Sequence, residues 1–208
     1  MKVKLLNYTP LEVADIAICK CYGNEPHSDS EKVKARINRV ANVSKHASTI
    51  EHLYYNFDID GISRACLQEL ARHRIASYTV KSSRYTLQEL KKEELLSYNE
   101  DVLNLIDSIV SKYCVLTSHD LVNAKIARQL VHLRSVLMSG VPNDVAKYCM
   151  PEAYKTSLVM SINARSLQNF LELRTSKHAL KEIQELARAL YEAVPEEHKF
   201  LFKEYIND

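Results

Sequence analysis

Between His52 and Asp60 the chain alternates without a break. Leu53, Tyr55, Phe57 and Ile59 fall on one side, and Tyr54, Asn56, Asp58 and Asp60 on the other. Period two marks a half-buried strand, and Gly61 is expected to end it. Residues 2–8 read as another short strand, and Lys155–Ile162 as a third. Elsewhere the spacing of apolar positions is helical. Thr9-Pro10-Leu11-Glu12 joins a Thr N-cap, Pro at the first helical position and Glu three residues after the cap, so a helix is expected through about Lys20. After a loop over Gly23–Pro26, Ser28-x-x-Glu31 is a second capping box and predicts a helix to about His46. Ser63 is expected to cap a helix through Leu67, Leu70 and Ala71. The hydroxyl-rich stretch from Ile75 to Ser83 reads as a loop or irregular extended chain.

Residues 86–100 are polar and predict a connector or frayed helix. Helical pattern dominates 101–138 and stops near Gly140-Val141-Pro142. Asn143–Met150 reads as a short helix ended by Pro151, and Asn163–Arg174 as a longer one. Leu180, Ile183, Ala187, Leu190 and Val194 mark the core face of a last helix. The sum is a mixed α/β fold, helix-rich, with a small sheet. At 208 residues, 46% hydrophobic and 26% charged, the chain can bury a sizeable core, and residues 1–208 are expected to form a single domain.

The net charge of +2 argues against a generic nucleic-acid or membrane surface. No apolar run approaches the ~20 residues that cross a bilayer, and Met1–Asn7 shows no secretory signal. Five cysteines, at 19, 21, 66, 114 and 149, lack the paired spacing of a metal site; reduced thiols of a cytoplasmic protein are expected. Glycine occurs only at 23, 61 and 140, so neither a P-loop nor a G-x-G-x-x-G turn can be built.

Against this balanced background one segment is strongly basic. Arg72-His73-Arg74 opens a run that includes Lys81 and Arg84, seven hydroxyl side chains lie between Ser77 and Thr86, and no carboxylate occurs between Glu69 and Glu89. Basic residues at a helix end complement its dipole, which accounts for Arg72 and His73. It does not account for ten further residues of the same character, which suit phosphate. A second polar stretch is Asn163–Arg174. In a helix, Asn163 and Arg174 are three turns apart and share a face with Leu167 and Phe170 between them, while Arg165 and Asn169 pair at i,i+4. That arrangement suits a flat heteroaromatic ligand; an amphipathic helix with Asn163 as its cap would look the same.

Arg72-His73-Arg74, seven residues, Ser82, then Arg84-Tyr85 resembles the signature of the flavin-dependent thymidylate synthases. Asn163-Ala-Arg-Ser-Leu, Asn169-Phe-Leu and Leu-Arg174 resemble the second block of that family, and His46–His52 its segment before the first long strand. The resemblance runs across most of the chain. It implies a compact non-Rossmann FAD-binding protomer, assembled as a homotetramer with active sites between subunits. It implies methylation of dUMP to dTMP, with methylenetetrahydrofolate as carbon donor and NADPH as the reductant of FAD. The family route needs no cysteine nucleophile.

By that resemblance, Ser48, Arg72, His73, Arg74, Asn163, Arg165 and Asn169 would bind FAD, and His46 would lie near flavin and substrate. Glu69, Arg72, Ser82, Ser83, Arg84, Lys147 and Arg174 would bind dUMP, with Arg174 on the uracil as the catalytic group. A guanidinium beside N3 and O4 would favour the uracil anion and push electron density toward C5. Glu69 and Arg72, three residues apart, would equally suit a plain salt bridge. The chain departs from the family pattern in two places: Thr79 and Val80 stand near where a carboxylate or amide is usual, and Lys147 where an arginine is. No metal is expected. The alternative is a non-catalytic nucleotide- or RNA-binding protein using loop 72–85; with no Trp and four Phe, the chain has little aromatic surface for it.

Overall fold

The computed structural model describes residues 1–93 and 109–207. Its strands are β1 (Lys2–Tyr8), β2 (Tyr54–Ser63), β3 (Ala76–Val80) and β4 (Lys155–Asn163), in one sheet of order β1-β2-β4-β3. The main helices are α1 (Leu11–Tyr22), α2 (Ser30–Asn38), α3 (Arg64–Leu70), α4 (Asp120–Met138), α5 (Ala164–Arg174) and α6 (Lys181–Ala193). The mixed, helix-rich fold with a small sheet is thus as expected.

The chain forms two compact units. The first comprises Met1–Asp60, Glu69–Thr79 and Leu158–Asp208. Here β1 and β2 pair antiparallel, with Val3 opposite Ile59 and Leu5 opposite Phe57. Leu53, Tyr55, Phe57 and Ile59 are all fully buried, as the alternation predicts. They share the core with Met160 and Ile162 of β4, Ile37 of α2 and Phe170 and Leu171 of α5. α6 packs on β1 and α5 through Ile183, Leu186, Ala187 and Leu190. Leu180, expected on that face, stands exposed just before the helix.

Several boundaries differ from expectation for local reasons. Thr9 does not cap α1; its hydroxyl accepts from the Tyr54 N–H at 3.1 Å and ties the start of the helix to β2. The cap of α2 is Asp29, not Ser28: its carboxylate accepts from the Glu31 and Lys32 N–H groups. The α-helix then gives way after Asn38 to a π-helical turn over Arg39–Val43. Gly61 does not end β2. It adopts φ 77°, open to glycine without strain, and the strand continues to Ser63. Ser63 caps α3 as predicted, accepting from the Cys66 N–H at 2.9 Å. The expected loop at 75–83 contains β3.

The second unit comprises Gly61–Gln68 and Val80–Ser157. Its core gathers Leu87, Leu90, Val110 and Tyr113 around Ile126, Leu130, Leu133 and Leu137 of α4. The long helix expected from 101 is shorter in its described part. Cys114 bridges to Tyr154 and the Val115 N–H bonds the Ala153 carbonyl, so this stretch is extended. Asn123 then clamps Thr117, accepting from its N–H at 2.8 Å and donating to its carbonyl at 2.9 Å, and α4 starts at Asp120. The readings of 94–100 as connector and 101–108 as helix lie outside the described residues.

Candidate functional site

Asn163 ends β4 and caps α5. Its Oδ1 accepts from the Ser166 N–H at 2.8 Å, while the Ala164 N–H bonds the Leu53 carbonyl. The capping geometry fixes the direction of α5, and with it Arg165, Asn169 and Arg174. On the other side of the same unit, Tyr78 of β3 sends its hydroxyl back to the carbonyls of Leu70 (3.1 Å) and His73 (2.8 Å). Burial pushes that phenol up to about 12, so it stays a donor. Tyr78 therefore pins the turn that presents Arg72, His73 and Arg74.

Between these two elements the first unit carries a cleft of about 760 Å³. Arg72, His73 and Arg74 line one side, and Asn163, Arg165, Asn169 and Arg174 the other. All seven were expected at the site from sequence, and the fold brings them together. Ile75 and Leu173, both exposed, give the cleft apolar wall. The expectation that Leu167 and Phe170 would face the ligand is overturned: both are fully buried in the core. Spacing shows which residues share a face, not which face looks inward.

The lining holds four arginines and one carboxylate, Glu51, which pairs with Arg165 at 2.5 Å. Glu51 is a residue that the sequence reading missed; nothing local ties 51 to 165. Arg174, with 16% of its side chain exposed, is held from three sides. Its Nη1 donates to Glu69 Oε2 at 2.8 Å, its Nη2 to the Glu69 carbonyl at 3.0 Å and its Nε to His73 Nε2 at 3.1 Å. The suspected Glu69–Arg72 bridge is replaced by this one, because α3 ends at Leu70. His46 and Ser48 are exposed and lie outside the cleft lining.

The second unit holds the other expected residues. Ser82 precedes a single helical turn, Ser83–Thr86, and its carbonyl accepts from the Tyr85 and Thr86 N–H groups. Arg84 lies over the Tyr85 ring at 5.6 Å, and its carbonyl accepts from Asn143 Nδ2 at 2.7 Å. Lys147 is exposed. Ser83 lines a recess of about 20 Å³ together with Thr86, Arg64, Lys81 and Lys155. Three cationic residues line it, with Lys81 paired to Glu89 at 3.7 Å and Lys155 donating to the Ser111 carbonyl; cations so grouped suit an anion. Arg64 and Lys155 come to it through strand pairing, with the Arg64 N–H on the Tyr154 carbonyl.

Two histidines in the first unit are held neutral. Burial, with Arg174 alongside, pushes His73 down to about 4. Burial likewise pushes His198 down to about 4, where its Nδ1 meets the Tyr55 hydroxyl at 2.7 Å. Both folded-state values lie below the ordinary 6.5. Their contribution to stability is therefore complete above pH 6.5 and is lost as pH falls toward 4. The urea midpoint should fall between pH 7.5 and pH 5; an unchanged midpoint would contradict the burial of both rings.

The family model described as "Thymidylate synthase complementing protein" matches residues 4–198. A flavin-dependent thymidylate synthase of Wolinella succinogenes is 52% identical over 204 residues, covering 97% of each chain. One from Helicobacter pylori is 51% identical over 208 residues, covering 98% of each. Among solved structures, thymidylate synthase X of Helicobacter pylori with FAD and dUMP superposes with a TM-score of 0.93 at 50% identity, over 100% of both chains.

Proposed function

The chain belongs to the family of flavin-dependent thymidylate synthases, and on that premise we propose how its residues divide the work. The protein is a flavoenzyme that makes dTMP from dUMP. The observation that carries the division is the cleft of the first unit. Its volume of about 760 Å³ lies in the range of cofactor sites. Arg72, Arg74 and Arg165 outnumber Glu51 and suit the diphosphate of FAD. Asn163 and Asn169 offer amide edges, and Ile75 and Leu173 apolar surface, to a planar ring. The residues present thus fit the cofactor that the relatives carry.

When bound, FAD supplies the redox chemistry and the passage of the one-carbon unit from methylenetetrahydrofolate, with NADPH as its reductant. The chain's own groups bind, orient and polarise. Arg174 sits at the uracil: with three N–H groups engaged by Glu69 and His73, its Nη1 and Nη2 each keep one more for N3 and O4. A cation there stabilises the charge that develops as C5 attacks. Ser82, Ser83, Arg84 and Lys147 hold the dUMP phosphate, aided by Lys81. At Thr79 and Val80, where the family pattern has polar side chains, β3 is the last strand of the sheet order, with one edge that pairs with no other strand among the described residues. His46 and Ser48, exposed and outside the cleft lining, approach FAD only once the subunits assemble.

Both units act as one synthase domain, in a cytoplasmic homotetramer with active sites between subunits. Among the described residues no helix is long and apolar enough to cross a membrane. The nucleotide- or RNA-binding alternative is not favoured. One of the loop hydroxyls it would use, that of Tyr78, is spent internally on backbone carbonyls.

The purified protein, reconstituted with FAD, should keep a blue-absorbing flavin through gel filtration. Loss of all flavin there would sink the reading. Arg84→Ala or Lys147→Ala should weaken dUMP by about 1.5–3 kcal/mol and leave FAD nearly unchanged. Equal losses of both ligands in titrations would show that these cations do not serve the nucleotide.

A further inference from the structure

We propose that the Tyr78 hydroxyl is a positioning group for the basic turn: it sets how tightly FAD is kept and leaves the turnover step untouched. The proposal rests on the reading of Arg72, His73 and Arg74 as FAD-binding residues. Those three lie between α3, which ends at Leu70, and β3, which starts at Ala76. Neither element imposes regular backbone on them. Arg72 and Arg74 are both exposed, so little packing holds them in place. One backbone bond outside the regular elements closes the turn, from the His73 N–H to the Leu70 carbonyl at 3.1 Å. Tyr78 adds the second tie. Its hydroxyl is shared between that same Leu70 carbonyl, at 3.1 Å, and the His73 carbonyl, at 2.8 Å. These two carbonyls bracket Ala71, Arg72 and His73. One side chain thus fixes two peptide planes, and with them the directions in which Arg72, His73 and Arg74 leave the turn.

The strand supplies the rigid end of this tie. β3 is paired to β4 in the sheet. Alternation along it leaves Ala76 and Tyr78 partly covered and Ser77 and Thr79 exposed, so the phenol lies on the covered face. Burial keeps the phenol protonated, with its pKa pushed up to about 12, so it donates throughout the neutral range. FAD cannot take over its work. Both carbonyls only accept, as phosphate oxygens do, so a bound diphosphate offers them no donor. Without the hydroxyl, the turn must be ordered each time the cofactor binds. Fixing one residue's backbone costs about 1–2 kcal/mol, which is roughly tenfold in affinity. Once FAD is seated, the same turn geometry is restored, and the rate per bound flavin is unchanged.

The test compares three holoenzymes: the parent, Tyr78→Phe, and a variant with 4-aminophenylalanine, an N–H donor of similar shape, in place of Tyr78. FAD affinity is read from the flavin fluorescence released on dilution, and turnover from single-turnover dTMP formation at saturating FAD and dUMP. Tyr78→Phe should weaken the FAD Kd roughly tenfold, with the saturated rate within about twofold of the parent. The 4-aminophenylalanine variant should recover most of the affinity, because only the donor is at issue. An FAD Kd unchanged in Tyr78→Phe would overturn the proposal. So would a lost saturated rate, or equal losses in the two variants, which would assign the effect to ring packing. Should Tyr78→Phe fail to fold, the comparison of parent with the 4-aminophenylalanine variant and Tyr78→His decides, and loss of FAD and of the fold together in all of them would make Tyr78 a general structural residue and overturn the proposal too. Failure of the underlying reading would look different: Arg72→Ala and Arg74→Ala would then hold FAD as the parent does.

Discussion

Arg174→Ala should abolish methylation while most flavin binding survives. Arg174 lines the cleft at the far end of α5 from Asn163, so its loss leaves the cap of that helix and the arginines of the Arg72–Arg74 turn in place. Its proposed task is to stabilise negative charge on N3 and O4 as C5 attacks. That interaction strengthens toward the transition state, so turnover suffers more than ground-state affinity. Loss of one such preorganised donor group costs about 2.7–4 kcal/mol, or roughly 10²–10³ in rate. Arg174→Lys should rescue poorly, because an ammonium cannot span two edge atoms or reach Glu69 and His73 together. Single-turnover dTMP formation with saturating dUMP and reduced FAD decides it. A near-normal rate in the alanine variant would leave Arg174 a helix-end charge.

The largest effect on stability is expected outside the cleft lining. Asp15 of α1 is only 1% exposed, and Arg36 of α2 lies 3.1 Å from its Oδ1. The His27 N–H reaches its Oδ2 at 3.1 Å, and Arg36 also touches Cys19 Sγ. Arg36→Ala would leave a buried carboxylate without its cation. Breaking such a pair costs about 3–5 kcal/mol, because the remaining charge stays desolvated. At about 2–4 °C per kcal/mol for a chain of this size, Tm should fall by roughly 10 °C. Replacing both partners with apolar residues, Asp15→Leu with Arg36→Met, should cost much less, since no orphan charge remains. Denaturant melts of the two variants beside the parent protein check this. A loss below about 1 kcal/mol in Arg36→Ala would mean that Asp15 finds water or another partner.

The elements that the sequence announces are those whose pattern is purely local. β2 is legible because Leu53, Tyr55, Phe57 and Ile59 alternate with polar residues and all four are buried. The cap of α5 at Asn163 and the stop at Pro151 are local chemistry too. β3 was hidden because Ser77, Tyr78 and Thr79 carry hydroxyls that read as loop, while its strand character comes from pairing with the distant β4. Thr9 looks like a cap, but Tyr54, forty-five residues away, competes for its oxygen and wins.

The candidate site divides in the same way. Arg72, His73, Arg74 and the polar positions of α5 could be found because they sit in two compact blocks. Glu51 beside Arg165, Glu69 beneath Arg174, and Arg64 with Lys155 near Ser83 depend on contacts across long stretches of chain. The inward turn of Leu167 and Phe170 followed from which face met the core, and spacing alone leaves that open.

The central claim is that dTMP is made here by a flavin held among these residues. The most direct measurement follows [methyl-labelled] dTMP in a single turnover of the purified protein with dUMP, labelled methylenetetrahydrofolate and reductant, with and without FAD. The account predicts product only when FAD is present, at an undiminished rate in Cys149→Ala. Product formed equally well without flavin, or none with every component supplied, would contradict it.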